Sequence, residues 1–279
     1  MARLDVRKTY KLYVGGAFPR SESGRSYEVT SSDGEFLAHA VRSSRKDVRD
    51  AVVAARKAWG KWAGLTAYNR GQILYRIAEM MESRRADLVD EVRRAEGKKK
   101  ESEAQVDEAI DLWVWYAGWT DKLTQVMGSL NPIAGPYFNI TVPEPTGVIG
   151  IVAPEKPSLM GLVERLAPAL CGGNTAVLIA SEEHPLPSIE LSECMATADV
   201  PGGVVNILTG HKSEIVPVLA SHLDVDALDV TGVAEGMRAD VERAAAENVK
   251  RVIHPGPKPS PYEATAFMEM KTVWHPKGA

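Results

Sequence analysis

Two cysteines in 279 residues, Cys171 and Cys194, are too few for a disulfide framework. Apolar runs are short, none approaching the ~18–20 residues that cross a bilayer, so no membrane-spanning helix is expected. The first residues, Met1 to Arg7, lack the apolar core of a signal peptide, and a cytoplasmic protein is the expectation. Charge of neither sign dominates: the net value of −4 gives no electrostatic footprint for nucleic acid. The histidines are scattered, with no His, Cys or Asp cluster at metal-ligand spacing. No segment repeats another. What is present is 44% hydrophobic residues, ample for a core in one large domain or two small ones.

Residues 145–209 organise the rest. Pro145–Pro154 is an apolar run between breakers, Leu159–Cys171 has helical spacing, and Gly172-Gly173-Asn174 stops that helix. Thr175–Ile179 is a second apolar strand, Glu190–Ala198 a helix, and Val204–Leu208 a third strand ahead of Thr209-Gly210. Strands apolar on both faces, alternating with helices, predict a parallel sheet covered on both sides. Right-handed crossovers make it an α/β, Rossmann-like doubly wound sheet, whose strand ends are the usual place for a nucleotide.

Upstream, Tyr10–Phe18 alternates and turns at Gly15-Gly16, predicting a short strand that begins a hairpin. Asp33-Gly34 is a second turn, leading to a strand over Phe36–Val41. Ser44 and Asp47 have capping-box spacing ahead of a helix whose Val48, Val52, Ala55, Trp59 and Trp62 share a face. Thr66 caps a helix carrying Leu74, Ile77, Met81, Leu88 and Val92, ended by Glu96-Gly97. Lys98–Lys100 reads as a solvated loop. Glu101 to Met127 forms a third helix, apolar over so wide an arc that it lies between neighbours. Its Trp113, Trp115 and Trp119 are assigned to core or subunit packing. Tyr137–Pro143 alternates weakly.

Downstream, Ser213–Ser221 is a short helix, Val225–Val230 a fourth strand, Glu235–Asn248 a helix and Val249–Ile253 a fifth strand. Four prolines among residues 254–261 then predict a stiff extended linker. Ala266–Trp274 is expected to be a single strand with one apolar face.

Thr146–Pro154, Ala167–Leu170, Gly173–Leu178, Ser181-Glu182, Pro201–Asn206 and Asp226–Gly232 stand in order and together resemble the aldehyde dehydrogenase superfamily, over about residues 10–252. The resemblance implies a coenzyme-binding domain over residues 1–253, with an N-terminal helical segment and an oligomerisation hairpin projecting at 131–146. The linker at 254–261 and a C-terminal oligomerisation strand at 262–279 follow.

Aldehyde oxidation through a thiohemiacetal needs a cysteine nucleophile, a carboxylate base, an oxyanion donor and a bound nicotinamide. By the resemblance, the oxyanion asparagine falls on Lys156, after Pro154 and Glu155, and the general base falls on Pro255. Glu263, beyond the linker, is no evident substitute. The domain that carries the family's nucleophile has no counterpart here, and Cys171 and Cys194 are expected to be buried structural residues. No catalytic residue is assigned. The cofactor positions implied are Pro154, Ser181, Glu182, Gly210 and Gly232. Ile179 replaces the family's ribose-binding lysine, Val233 its pyrophosphate-facing hydroxyl, and Gly236 is displaced by one position. Glu182 has an alternative role as a helix cap or surface residue, and Gly232 as a turn glycine. NAD or NADP is therefore expected to bind weakly or not at all.

In the family the final strand crosses to a neighbouring subunit. Phe267–Trp274 resembles it, which implies a full-length aldehyde dehydrogenase subunit, or another copy of this chain, as partner. The alternative is that the tail folds back on its own sheet. Two functions follow: a non-catalytic structural or regulatory subunit, or an NAD(P)-dependent aldehyde oxidoreductase component whose nucleophile comes from a partner chain. A ligand-free scaffold is a third.

Overall fold

The computed structural model describes residues 8–254 and 259–278. A hairpin comes first, β1 (Ser26–Thr30) and β2 (Phe36–Val41), closed through Gly34 at φ +83°. Tyr10–Phe18 is not the strand its alternation predicts. Tyr13 makes a single antiparallel bridge to Ile207 and Val14 one to Ala17, so the segment seals a sheet edge instead of forming a ladder.

α1 (Arg45–Ala63) starts at the capping box: the Ser44 hydroxyl accepts from the Asp47 N–H, and the Asp47 carboxylate accepts from the Ser44 N–H at 2.7 Å. The helix expected from Thr66 onward breaks at Arg84 into α2 (Ala67–Ser83) and α3 (Arg85–Glu96). The apolar spacing runs through the break because Leu74, Ile77, Met81, Leu88 and Val92 all enter one core. α4 (Lys99–Trp119) begins earlier than expected, taking Lys99 and Lys100 as its first turn, and stops at Thr120 before a separate α5 (Leu123–Met127). Trp113 is fully buried, whereas Trp115 is exposed.

The chain continues through β3 (Ser129–Leu130), β4 (Tyr137–Pro145), β5 (Val148–Val152), α6 (Met160–Cys171), β6 (Thr175–Ile179), α7 (Leu186–Thr197) and β7 (Val205–Leu208). It then forms α8 (Lys212–Ser221), β8 (Ala227–Asp229), α9 (Glu235–Ala246), β9 (Arg251–Ile253), α10 (Pro261–Ala266) and β10 (Met268–Pro276). Five parallel strands make one sheet in the order β7-β6-β5-β8-β9. Alternate side chains point to opposite faces. Ile149, Ile151, Ala176 and Leu178 join the core under α2, α4, α6 and α7, while Val148, Val152, Val177 and Ile179 join the core under α1, α8 and α9. Both faces being covered explains the unbroken apolar runs. The order reverses between β5 and β8, which places the switch-point crevice outside the ends of those two strands.

The C-terminal segment departs from expectation. Pro261 opens α10 instead of prolonging an extended linker, a first-turn position where its missing N–H costs nothing. Of the expected linker, residues 255–258, including Pro255, lie outside the described residues. Ala266 closes α10, so the final strand starts at Met268. β10 pairs antiparallel with β4 of its own chain from Met268↔Pro145 to Pro276↔Tyr137, in a separate sheet ordered β10-β4-β3. Phe267, fully buried, anchors this tail to the parallel sheet: its carbonyl accepts from Asn174 Nδ2 at 2.8 Å.

Candidate functional site at the strand ends

The carboxyl ends of β5, β6, β7 and β8 deliver loops that converge on one side chain, Lys212. It is the first residue of α8 and is 7% exposed. Its Nζ donates to Ala153 O at 2.6 Å and Gly232 O at 3.3 Å, and it forms an ion pair with Glu155. The other Glu155 oxygen accepts from the Ser181 hydroxyl at 2.7 Å and the Glu183 N–H at 3.0 Å. Burial works against the Glu155 charge, but Lys212, the Glu183 N–H and Ser181 together hold its carboxyl below the usual carboxylate range.

Glu182 takes the capping role. Its Oε2 accepts from the Lys212 N–H at 2.7 Å and its Oε1 lies 2.7 Å from His211 Nδ1. A carboxylate there satisfies a free donor of α8 and complements the dipole. Ser181, Glu182 and Gly232 are thus brought together around Lys212 and Glu155. Two other sequence candidates point elsewhere: Gly210, at φ +143°, packs where a Cβ would lie 2.9 Å from Ser43 N, and Pro154 packs against Gly161 at the head of α6. A Cβ on Gly232 would lie 1.9 Å from Ala153 O, so this glycine is needed for close approach of two chain segments. Ile179 and Val233 are both buried in the core under α1, α8 and α9.

Lys156 is exposed and lines a cleft of about 430 Å³ with Tyr27, Glu182, His184 and His211. Burial and the Lys156 charge lower the His184 pKa, which keeps its ring neutral. The two cysteines are poor nucleophiles: burial pushes both thiols up to about 12. Glu263 is engaged by Arg165 Nη1 at 2.7 Å, and Arg165 Nε also donates to the fully buried Asp229 at 2.7 Å. Among the described residues no group of three or more His, Cys, Asp or Glu could hold a metal, and no helix is long and apolar enough to cross a membrane. Lys212, Glu155 and His211 had no place among the sequence-derived site residues. The one signal that could have found Lys212 is a long cation standing directly at a helix start beyond a strand end.

The strand order and switch-point crevice define a doubly wound, dinucleotide-type α/β fold. The family profile described as "Aldehyde dehydrogenase family" matches residues 18–255. Human retinal dehydrogenase 2 is 33% identical over 255 residues, which are 89% of this chain and 48% of that protein. The mitochondrial benzaldehyde dehydrogenase of Antirrhinum majus is 34% identical over 247 residues, 87% of this chain and 46% of its own length. Among solved structures, the NAD+ complex of an aldehyde dehydrogenase from Bacillus cereus matches with a TM-score of 0.83 at 28% identity, covering 88% of this chain and 50% of that one. An NAD-dependent aldehyde dehydrogenase from Sinorhizobium meliloti matches with a TM-score of 0.84 at 30% identity, covering 89% and 50%. The chain belongs to the aldehyde dehydrogenase family, and it spans about half the length of the curated relatives it matches. NAD is therefore a cofactor found in this family. The crevice residues here do not fit it well: the position facing Gly232 and Ala153 holds the chain's own ammonium, with all three of its N–H groups engaged.

Proposed function

We propose that this chain is a non-catalytic aldehyde dehydrogenase-like subunit that serves a structural or regulatory role. Its partner on this reading is a full-length aldehyde dehydrogenase or a second copy of itself. Its NAD(P) affinity is weak or nil. The observation that carries the reading is the β10-β4-β3 sheet. β10 is nine residues long, and its outer edge has no partner strand among the described residues. One face of that sheet presents Leu130, Phe138, Ile140 and Val273, all exposed, and the other presents Tyr137, Met270 and Trp274. An edge of that length with apolar faces invites strand addition or sheet stacking. The chemistry supports the non-catalytic part. Lys156 and Pro255 stand where the family resemblance implies an oxyanion donor and a base, Glu263 is neutralised by Arg165, and both thiols are buried.

The test is affinity capture of the tagged chain from its native extract, with native mass determination of the eluate. A full-length aldehyde dehydrogenase in fixed ratio, or a defined homo-oligomer, is expected. Because Phe267 and Met268 belong to the core, the matched control deletes residues from Lys271 onward and should release the partner with the fold intact. A strictly monomeric chain would sink the reading. The same eluate should be assayed for NAD(P)-dependent aldehyde oxidation, where activity retained by the isolated chain would contradict the non-catalytic assignment.

A further inference from the structure

We propose that Lys212 is a built-in occupant of the switch-point crevice, a clasp that shuts dinucleotide out and fastens the strand-end loops together. The idea rests on the non-catalytic reading above but not on any partner. An α8 residue here reaches across the sheet end to carbonyls on both sides of the reversal: Ala153 follows β5 and Gly232 follows β8. Those two segments flank the gap where a doubly wound sheet ordinarily admits a phosphate-bearing ligand. Gly232 approaches β5 directly, its N–H donating to Val152 O at 2.8 Å. The gap is therefore narrow, and its remaining width holds a lysine stem and ammonium.

Three consequences follow for an incoming dinucleotide. It finds no free N–H on Lys212, since three acceptors already take the three donors. At the α8 N-terminus, the other source of donors, the first N–H, that of Lys212, is already taken by Glu182. The groups left facing solvent include the Glu182 and Glu183 carboxylates, which outnumber the single lysine of that cleft, Lys156, and so disfavour pyrophosphate at neutral pH. Clasp and exclusion are the same contact set. Glu155 binds Lys212 from the β5 loop and holds the β6 loop through Ser181 and the Glu183 N–H, so one ion pair joins the loops after β5, β6, β8 and the head of α8.

Removing the cation alone would leave Glu155 unpaired beside any phosphate. The informative variant is therefore Lys212→Ala with Glu155→Gln, which empties and neutralises the crevice together. NADH binding is read by fluorescence titration with calorimetry. The wild-type chain should show no saturable binding up to about 1 mM, and the double variant should bind at least about tenfold tighter. Saturable micromolar binding by the wild type overturns the proposal. So does a double variant that keeps the wild-type circular dichroism and binds no better. A measurement on the wild type guards against a variant that fails to fold. Trace acetylation, mapped by mass spectrometry, should label Lys212 at least about tenfold more slowly than solvated lysines such as Lys98 and Lys99, because an ammonium with its donors engaged and its surface covered is not free to attack. Labelling of Lys212 at the solvated rate shows the clasp open and overturns it. The partner reading stands or falls separately, since neither readout involves association.

Discussion

Arg165 links three elements through charge. It leaves α6 almost wholly buried, meets Asp229 on β8 and Glu263 on α10, and lies 5.7 Å from the Phe267 ring. Burial pulls its pKa down, yet the two carboxylates win and raise it. Removing one partner of such a pair strands the other charge in the interior, so Arg165→Met should destabilise the chain by about 3–5 kcal/mol in urea unfolding. An unchanged midpoint would show the triad to be solvated. None of this was legible beforehand, because the partners lie 64 and 98 residues from Arg165. Local residues were easier to read. Ser44 and Asp47 form the box their spacing implies, and Gly147 is a glycine for a steric reason: at φ +141°, a Cβ there would lie 1.9 Å from Asp226 Oδ2. Glu155 gives a pH prediction. Its folded pKa is depressed, so its contribution to stability is fully present above the ~4.3 of a free glutamate and is lost as pH falls through the lower folded value. The Tm difference between wild type and Glu155→Gln should be largest at neutral pH and close toward pH ~3. A difference that does not change with pH would remove Lys212 as the cause.

At the scale of elements, the parallel strands were readable because burial on both faces leaves runs such as Val148–Val152 and Thr175–Ile179 without polar punctuation. Helix ends were less so. The apolar period crosses Arg84 because α2 and α3 share one core, and periodicity carries no information about a break that keeps the face. α10 was missed because four nearby prolines dominate the composition, although one of them sits in a first turn where it favours a helix. The tail divides into an anchor and an arm. Phe267 and Met268 are buried, while Met270, Val273 and Trp274 are exposed. Phe267→Ala should therefore cost about 3–5 kcal/mol of stability, and deleting residues from Lys271 onward much less. Urea denaturation of the two variants decides it, and equal losses would mean that the arm belongs to the core.

For the whole molecule, the doubly wound order was legible and the contents of its crevice were not. Strand alternation fixes which element neighbours which, but a flexible four-carbon side chain such as Lys212 reaches a carbonyl two strands away only in the assembled sheet. The same division applies to association. The sequence resemblance implied an oligomerisation strand, and the structure places β10 on its own β4 with an outer edge to spare. Successive side chains on β10 point to opposite faces, so Val273→Lys and Trp274→Lys probe the two faces separately. Both positions are more than half exposed, at 56% and 59%, and each substitution should move stability by no more than about 0.5 kcal/mol. On a face that docks, however, lysine brings a charge that must be desolvated against an apolar surface, and the complex should dissociate at concentrations where the wild type is assembled. If stacking of the Leu130–Phe138–Ile140 face drives association, Val273→Lys alone abolishes it. Loss with Trp274→Lys alone assigns the opposite face, and loss with neither leaves backbone pairing along the β10 edge as the joint. Thr272→Pro together with Met270→Pro then tests that edge: the odd-numbered residues of β10 carry the ladder to β4, so the N–H groups of Met270 and Thr272 both face outward, and neither can donate to an added strand as proline. An assembly that survives all four substitutions, by native mass, would place the interface away from this sheet altogether.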